Sequence, residues 1–224
     1  MTTLDGLFCA GDACGANPHK FSSGSFTEGR LAGKSAVLYV MDHSDEKIDV
    51  DRAQVDSLIA KIMEPLERYQ RGGRYNVVTG PSYMHPVDPT KMYWKQGLFR
   101  LQKIMDEYAG GWSTMYMTNE WMLNRGGLEL LQFLKEDLVN YAAAQDWHEL
   151  MRVWELWHRI LSAEAVIRHM LFRKETRWPG YYVRADYPAL DDDNWHVFVN
   201  SRYDAKTGQW EVWKVPVIHI IEFP

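Results

Sequence analysis

From Asp146 to about Arg173 the chain carries one long helical pattern, and that pattern dictates what the rest of it must supply. Asp146-Trp147-His148-Glu149 has the form of a capping box with Asp in place of Ser or Thr. Trp147, Leu150, Met151, Trp154, Trp157 and Leu161 then recur on one face. A stripe of this length is stable only if other elements cover it. Three upstream segments are suited to do so. From Asp51, read as an N-cap, Val55, Leu58, Ile59, Ile62, Met63, Leu66 and Tyr69 recur at helical spacing; Pro65 is expected to kink or shorten that helix and Gly72-Gly73 to end it. A second helix is predicted over Pro89–Tyr108, with Leu98, Leu101, Met105 and Tyr108 on one face and Gly110-Gly111 as its stop. A third is predicted over Asn119–Ala144, with a stripe of Leu128, Leu131, Leu134, Leu138 and Tyr141 and a break near its start at Gly126-Gly127. Asn76–Asp88, holding Gly80, Pro81 and Pro86, reads as an ordered loop. The four helical segments show no internal repeat.

Beyond Lys174 the period changes from helix to strand. Trp178-Pro179-Gly180 reads as a turn and Tyr181–Pro188 as extended chain. Trp195, Val197 and Val199 alternate with His196 and Phe198, Asp204–Gly208 is a turn, and Trp210–Val215 is the returning strand of a hairpin.

Composition removes several function classes. With 46% hydrophobic residues over 224, the chain can bury a core of one large domain or two small ones. The net charge is −5 and Lys and Arg form no long runs, which argues against sequence-independent nucleic-acid binding. No apolar run approaches the roughly 20 residues that span a bilayer, and the opening MTTLDGLF has neither the basic nor the apolar region of a signal peptide. Cys9 and Cys14 are too few for an iron–sulfur cluster and wrongly spaced for a zinc knuckle. They read as small buried residues of a reducing compartment, and the chain as cytoplasmic. His148, His158 and His169 lack ligand spacing along their helix, and Asp191-Asp192-Asp193 lacks that of a calcium loop; the latter reads as a solvated turn.

The chemistry concentrates between Leu7 and Val40. An apolar run, Leu7–Ala10, expected as a strand, leads to Gly11-Asp12 and a small, polar loop with Pro18, His19 and Lys20. Ser22-Ser23-Gly24-Ser25 then opens a helix carrying Leu31, Ala32, Ala36, Val37 and Val40. Small residues and free N–H groups at a helix N-terminus let the backbone approach an anion or an electron-rich ring. A buried Asp12 after a strand would accept hydrogen bonds from the hydroxyls of a sugar or ribityl chain. Composition alone equally allows an ordinary Ser-rich N-cap.

Gly11-Asp12, the loop with His19 and Gly29-Arg30-Leu31-Ala32-Gly33 resemble the last FAD-contacting segment of the succinate dehydrogenase/fumarate reductase flavoproteins. The wording NPHKFSSGSFTEGR, and a second block from Glu175 through Tyr182, Arg184, Asp186-Tyr187-Pro188 and Asp193-Asn194-Trp195, resemble more specifically the α subunit of dissimilatory adenylylsulfate reductase. The dinucleotide fingerprint G-x-G-x-x-G of that superfamily is absent from this sequence. The resemblance implies an α+β chain: residues 1–42 as the C-terminal strand–loop–helix of an FAD-binding domain, 43–50 as a linker, 51–173 as a helical domain and 174–224 as an extended, β-hairpin tail. It implies FAD, shared with a region N-terminal to this one, so that this chain alone is not expected to turn over.

The resemblance further implies two-electron reduction of adenylylsulfate to sulfite and AMP by way of a sulfite adduct on the flavin, with an iron–sulfur β subunit as electron partner and the clusters confined to that subunit. Gly11, Asp12, Ser22, Ser23, Gly24 and Ser25 are then cofactor contacts. His19 is the catalytic and substrate-binding candidate, because it hydrogen-bonds an oxyanion in either protonation state, and Lys20 adds positive charge. A surface-loop histidine is the plainer alternative for His19. Arg177 and Arg184, beside Glu175 and Asp186, could hold phosphate or sulfate, but a buried ion-pair frame suits an Arg fork better. Two rivals stand beside the reductase: a helical partner-docking module without activity, and a fumarate reductase-like enzyme. Lys20-Phe21-Ser22-Ser23-Gly24 stands where the dicarboxylate enzymes carry Arg-Leu-Gly-Gly-Asn, which argues against the latter.

Overall fold

The computed structural model describes residues 1–2, 4–14, 22–47, 49–71 and 91–218. The chain divides into two compact units, Met1–Val55 and Asp56–Pro224.

The first unit is built on helix α1 (Ser22–Asp42), which buries none of its own residues. The N-terminal arm lies along it. Phe8 meets Tyr39 edge-on at 6.1 Å, and Tyr39 stacks on His43 at 3.9 Å. The strand expected over Leu7–Ala10 does not form among the described residues. Ala10 is extended, but a strand needs a neighbouring edge to bond, and a 3-10 turn at Gly11–Ala13 follows at once. Phe26, Leu31, Val37, Leu38, Val40 and Met41 of α1 are exposed. Cys9 and Cys14 are half-buried free thiols rather than buried ones.

The second unit is a helical layer with a hairpin against it. Helix α2 (Arg52–Gln70) starts where expected, with the Gln54 amide donating to Asp51 Oδ1 at 3.1 Å. Pro65 does not end it. The proline is buried and its carbonyl accepts the Ala144 amide at 2.9 Å, while Trp154 Nε1 donates to the Ile62 carbonyl at 3.0 Å. Neighbouring chain thus satisfies the backbone around the proline. The Gly72-Gly73 stop and the Asn76–Asp88 loop lie outside the described residues.

Helix α3 (Trp94–Tyr108) begins later than the pattern suggests, because Met92 is drawn into backbone pairing with Tyr141 and Ala143. It ends before Gly110, as read. Strand β1 (Met117–Thr118) follows, then Asn119, whose side chain accepts the Met122 amide at 2.9 Å. Gly126-Gly127 does not break the next helix; it lies in a π-helical turn, Met122–Leu128, that runs directly into α4 (Glu129–Tyr141). A Cβ on Gly126 would sit 1.9 Å from Tyr108 Cδ1, and one on Gly127 would sit 2.8 Å from Ile167 Cδ1. The two glycines let this segment press against α3 and the long helix.

That long helix, α5 (Trp147–Phe172), is capped by Asp146, which accepts the Glu149 amide at 2.9 Å. Its buried face differs from the expected one. Leu150, Val153, Leu156, Ile160, Ala163 and Ile167 enter the core, while Trp147 and Met151 are exposed and Trp154 and Trp157 line its edge. Close helix packing selects compact aliphatic side chains. A Trp keeps a polar edge and serves better at the rim, where Trp154 finds its carbonyl partner. The core closes around Leu101, Ile104, Leu123, Leu131, Leu134 and Leu138 from α3, the π turn and α4.

After α5, only Val183–Arg184 (β2) of the expected extended stretch is strand, parallel to β1 with Met117 opposite Val183. Asp191–Asp193 is no plain solvated turn: Asp191 accepts the Asn194 amide at 3.1 Å and caps a four-residue helix α6 (Asp192–Trp195), which takes Trp195 out of the strand. The hairpin forms as read, with β3 (Val197–Tyr203) antiparallel to β4 (Trp210–Pro216). Buried Glu164 on α5 holds Arg168 at 2.7 Å and Lys135 at 3.2 Å; those cations lie over Trp210 and Tyr203 and tie the hairpin to the helices.

Candidate functional site

In the first unit the 3-10 turn meets the second turn of α1. Gly11 is buried at φ +65°, a left-handed conformation that Gly adopts without strain, and its amide donates to Glu28 Oε2 at 2.7 Å. A Cβ on Gly11 would lie 3.4 Å from Ser25 Oγ, so the two segments approach as closely as small residues permit. The structure thus brings Gly11 and Ser25 together and sets Ser22, Ser23 and Gly24 in the first turn of α1, where amides lack helical acceptors and the helix dipole is positive. Asp12 corrects the expectation of burial: it is exposed in the 3-10 turn. His19 and Lys20 lie outside the described residues.

Glu28 went unread in the sequence. Its position two turns into a helix looks like an ordinary surface acid, and the fold-back of the Gly11–Ala13 turn brings the Gly11 amide onto it. Beside this corner the first turn of α1 offers backbone donors and little steric bulk, which suits the electron-rich edge of a planar cofactor.

A second cluster lies in the other unit, and here the frame reading holds over the anion site. Glu175 is buried and accepts from Arg173 Nη1, from Arg177 Nε at 2.8 Å and Nη2 at 2.9 Å, and from the Asp191 amide at 2.9 Å. Burial alone would raise its pKa; hydrogen bonds from Arg177, the Asp191 amide and Arg173 outweigh this and hold it below the ordinary value. Arg184, fully buried, forks onto Asp186 with both contacts at 2.9 Å and also donates to the carbonyls of Met170 and Arg173 at the end of α5. Asp186 in turn accepts the Glu120 amide at 2.9 Å. This one ion pair therefore joins the negative end of α5 to the positive start of the helix that follows β1. Burial opposes the charge on Asp186, but Arg184 and the Glu120 amide lower its pKa. Both arginines are consumed by carboxylates and carbonyls, leaving no open fork for an oxyanion. Among the described residues no group of His, Cys, Asp and Glu could hold a metal ion. No helix among them is long and apolar enough to cross a membrane.

Residues 99–222 match the family model described as fumarate reductase flavoprotein C-term. The chain belongs to that flavoprotein family. It is 40% identical over 222 residues to the adenylylsulfate reductase α subunit of Megalodesulfovibrio gigas, covering 99% of this chain and 32% of that one. It superposes on an adenosine-5-phosphosulfate reductase solved as a covalent sulfite adduct with a TM-score of 0.87 and 54% identity, over 100% of this chain and 34% of the other. A Mycobacterium smegmatis Sdh1 structure shares the fold alone, at 21% identity and a TM-score of 0.68 over 97% of this chain and 33% of that one. The chain therefore spans about a third of the length of these relatives, and the naming of the M. gigas protein as an α subunit implies that it has a partner subunit. The expected α+β class holds: helices dominate, with two small sheets among the described residues.

Proposed function

We propose that this chain is the flavin-contacting corner and C-terminal part of an adenylylsulfate reductase α subunit. One observation carries the reading: likeness to a sulfite-bound reductase runs through the whole chain at 54% identity, against 21% for Sdh1. The Gly11–Ser25 corner supports it, because its small residues and the helix N-terminus that opens at Ser22 suit the electron-rich edge of FAD. FAD, once bound, supplies the two-electron carrier; an iron–sulfur β subunit supplies or accepts those electrons, in a complex we place in the cytoplasm.

The chain's own residues then act as follows. The amides of Ser22, Ser23, Gly24 and Ser25 would hold the flavin edge and stabilise negative charge there, an effect of about 0.3–1 kcal/mol when exposed and up to about 2 kcal/mol when partly buried. Gly11 keeps the approach open, and Asp12 accepts from cofactor hydroxyls. His19 donates to a sulfo oxygen of adenylylsulfate, with Lys20 adding field. The sulfur–oxygen bond to AMP breaks as two electrons arrive; the bridging oxygen stays on the phosphate and the sulfur leaves as sulfite.

The test uses a full-length flavoprotein in which this chain replaces the matched 222 residues of the M. gigas subunit, assembled with its partner. His19→Ala should lower kcat/KM for adenylylsulfate about ten- to a hundredfold, the worth of a hydrogen bond to a charged group, at unchanged FAD content. Unchanged turnover makes His19 a loop residue; lost flavin makes it a cofactor contact instead.

A further inference from the structure

Two segments of the second unit, Gly111–Thr118 and Trp178–Val183, contain no charged residue, in a chain of which a quarter is charged. The parallel pairing of β1 with β2 brings them together: the Val183 amide donates to the Tyr116 carbonyl at 2.8 Å, and Met117 lies opposite Val183. Most of their large side chains nonetheless face solvent. Trp112 is 76% exposed, Met115 81% and Tyr181 78%, with Met117 and Trp178 exposed beside them.

The projection is built in. Met115 and Tyr116 are consecutive non-glycine residues at φ 51° and 63°, a conformation the backbone holds only when its surroundings impose it. Ser113 bonds to Asp106 through both its amide (3.2 Å) and its hydroxyl (2.9 Å), and the Tyr116 amide bonds to the Gly111 carbonyl at 3.0 Å. Trp112 and Tyr116 brace each other edge-on at 5.6 Å. Trp, Tyr and Met side chains on a fixed loop, with no charge among them, are the composition of a permanently buried contact rather than a transient one.

We infer that this face is an intramolecular docking surface, covered by the two thirds of the flavoprotein polypeptide that the relatives carry outside the matched region. A covalently joined partner is present at high effective concentration, and permanent burial removes the need for the charged rim that a separable subunit uses. The inference rests on family membership and relative length, not on the sulfur chemistry.

Methionine oxidation by hydrogen peroxide, read by peptide mass spectrometry, tests it. Buried Met92 serves as the slow reference in the same protein. In this 224-residue chain Met115 should oxidise at close to the rate of free methionine. In the full-length flavoprotein, without its partner subunit, Met115 should be slowed at least tenfold. Equal rates in the two proteins, or protection that arrives only with the partner subunit, would overturn the inference. A second reading uses the double variant Met115→Glu with Tyr181→Glu. It should leave the Tm of this chain unchanged and lower that of the full-length flavoprotein by several degrees; a fall in both, or in neither, contradicts a docking role. Both readouts stand whether or not adenylylsulfate is turned over.

Discussion

Glu175→Gln removes one negative charge from the most enclosed carboxylate of the helical unit. Four donors converge on it, two from Arg177, one from Arg173 and the Asp191 amide. Breaking a buried ion pair by deleting one partner costs about 3–5 kcal/mol. Two features reduce that here. The arginine side chains are 22% and 23% exposed, so water reaches them, and each keeps other acceptors: Arg173 the Trp195 and Val197 carbonyls, Arg177 the Asp192 carboxylate. The glutamine keeps one acceptor oxygen. A loss of about 2–3 kcal/mol is expected, a large part of the roughly 5–15 kcal/mol that a folded domain has in total. At about 2–4 °C per kcal/mol for a chain of this size, Tm should fall by about 4–12 °C. The assay is urea unfolding followed by tryptophan fluorescence at pH 7 and pH 4. Because the folded pKa of Glu175 is lowered, its contribution is present above the unfolded value of 4.5 and is lost as pH falls through it toward the folded pKa. Wild type should therefore lose stability between the two pH values, and the variant should lose less. A variant within about 0.5 kcal/mol of wild type at pH 7, or with the same acid loss, would refute the frame as a source of stability. Asp192→Asn is the control: its side chain is 58% exposed, and such a surface pair contributes at most about 1 kcal/mol.

Gly126→Ala should destabilise by at least about 1–3 kcal/mol in the same urea assay, since its Cβ overlaps Tyr108; pairing it with Tyr108→Ala should recover part of the loss. Tyr182→Phe should be neutral or mildly stabilising, because the buried hydroxyl, its pKa pushed up to about 12 by burial, has Arg184 nearby but no well-formed hydrogen bond among the described residues. A loss above about 1 kcal/mol would mean that the nearby Arg184 uses it. Acidification should also weaken the fold near neutrality through His169, whose pKa is lowered by burial and by Arg173. Its share is present above 6.5 and lost below it, and His169→Gln should remove that step from the pH–stability profile.

What could be read in advance tracks how local its cause is. Asp51, Asn119 and Asp146 cap their helices, and the Asp204–Gly208 turn joins its hairpin, because each depends on residues within a few positions. The Arg–carboxylate frame was legible because its members sit within about a dozen residues of one another. The face that α5 buries was not. Periodicity marks an apolar stripe, whereas the choice of Val153 and Ile160 over Trp147 and Met151 is made by how closely α3 and α4 approach. Gly126-Gly127 reads as a break until Tyr108 and Ile167 are seen to occupy the space a side chain would fill. Leu7–Ala10 reads as a strand on composition, yet a strand is defined by its neighbour, and no described segment pairs with it. Within the candidate site, Gly11 and Ser25 were legible as small residues at a turn and a helix start. Glu28 was not, because the Gly11 amide that donates to it lies 17 positions away and arrives when the chain folds back.

The most direct test of the account is a substrate comparison on the full-length flavoprotein with the proposed iron–sulfur partner, driven by a reduced one-electron dye. The assay follows dye oxidation with adenylylsulfate or fumarate as acceptor and quantifies AMP and sulfite. The account predicts turnover with adenylylsulfate, AMP and sulfite in equal amounts, and no dye oxidation with fumarate. Turnover of fumarate without release of sulfite would contradict it and return the chain to the dicarboxylate branch of its family.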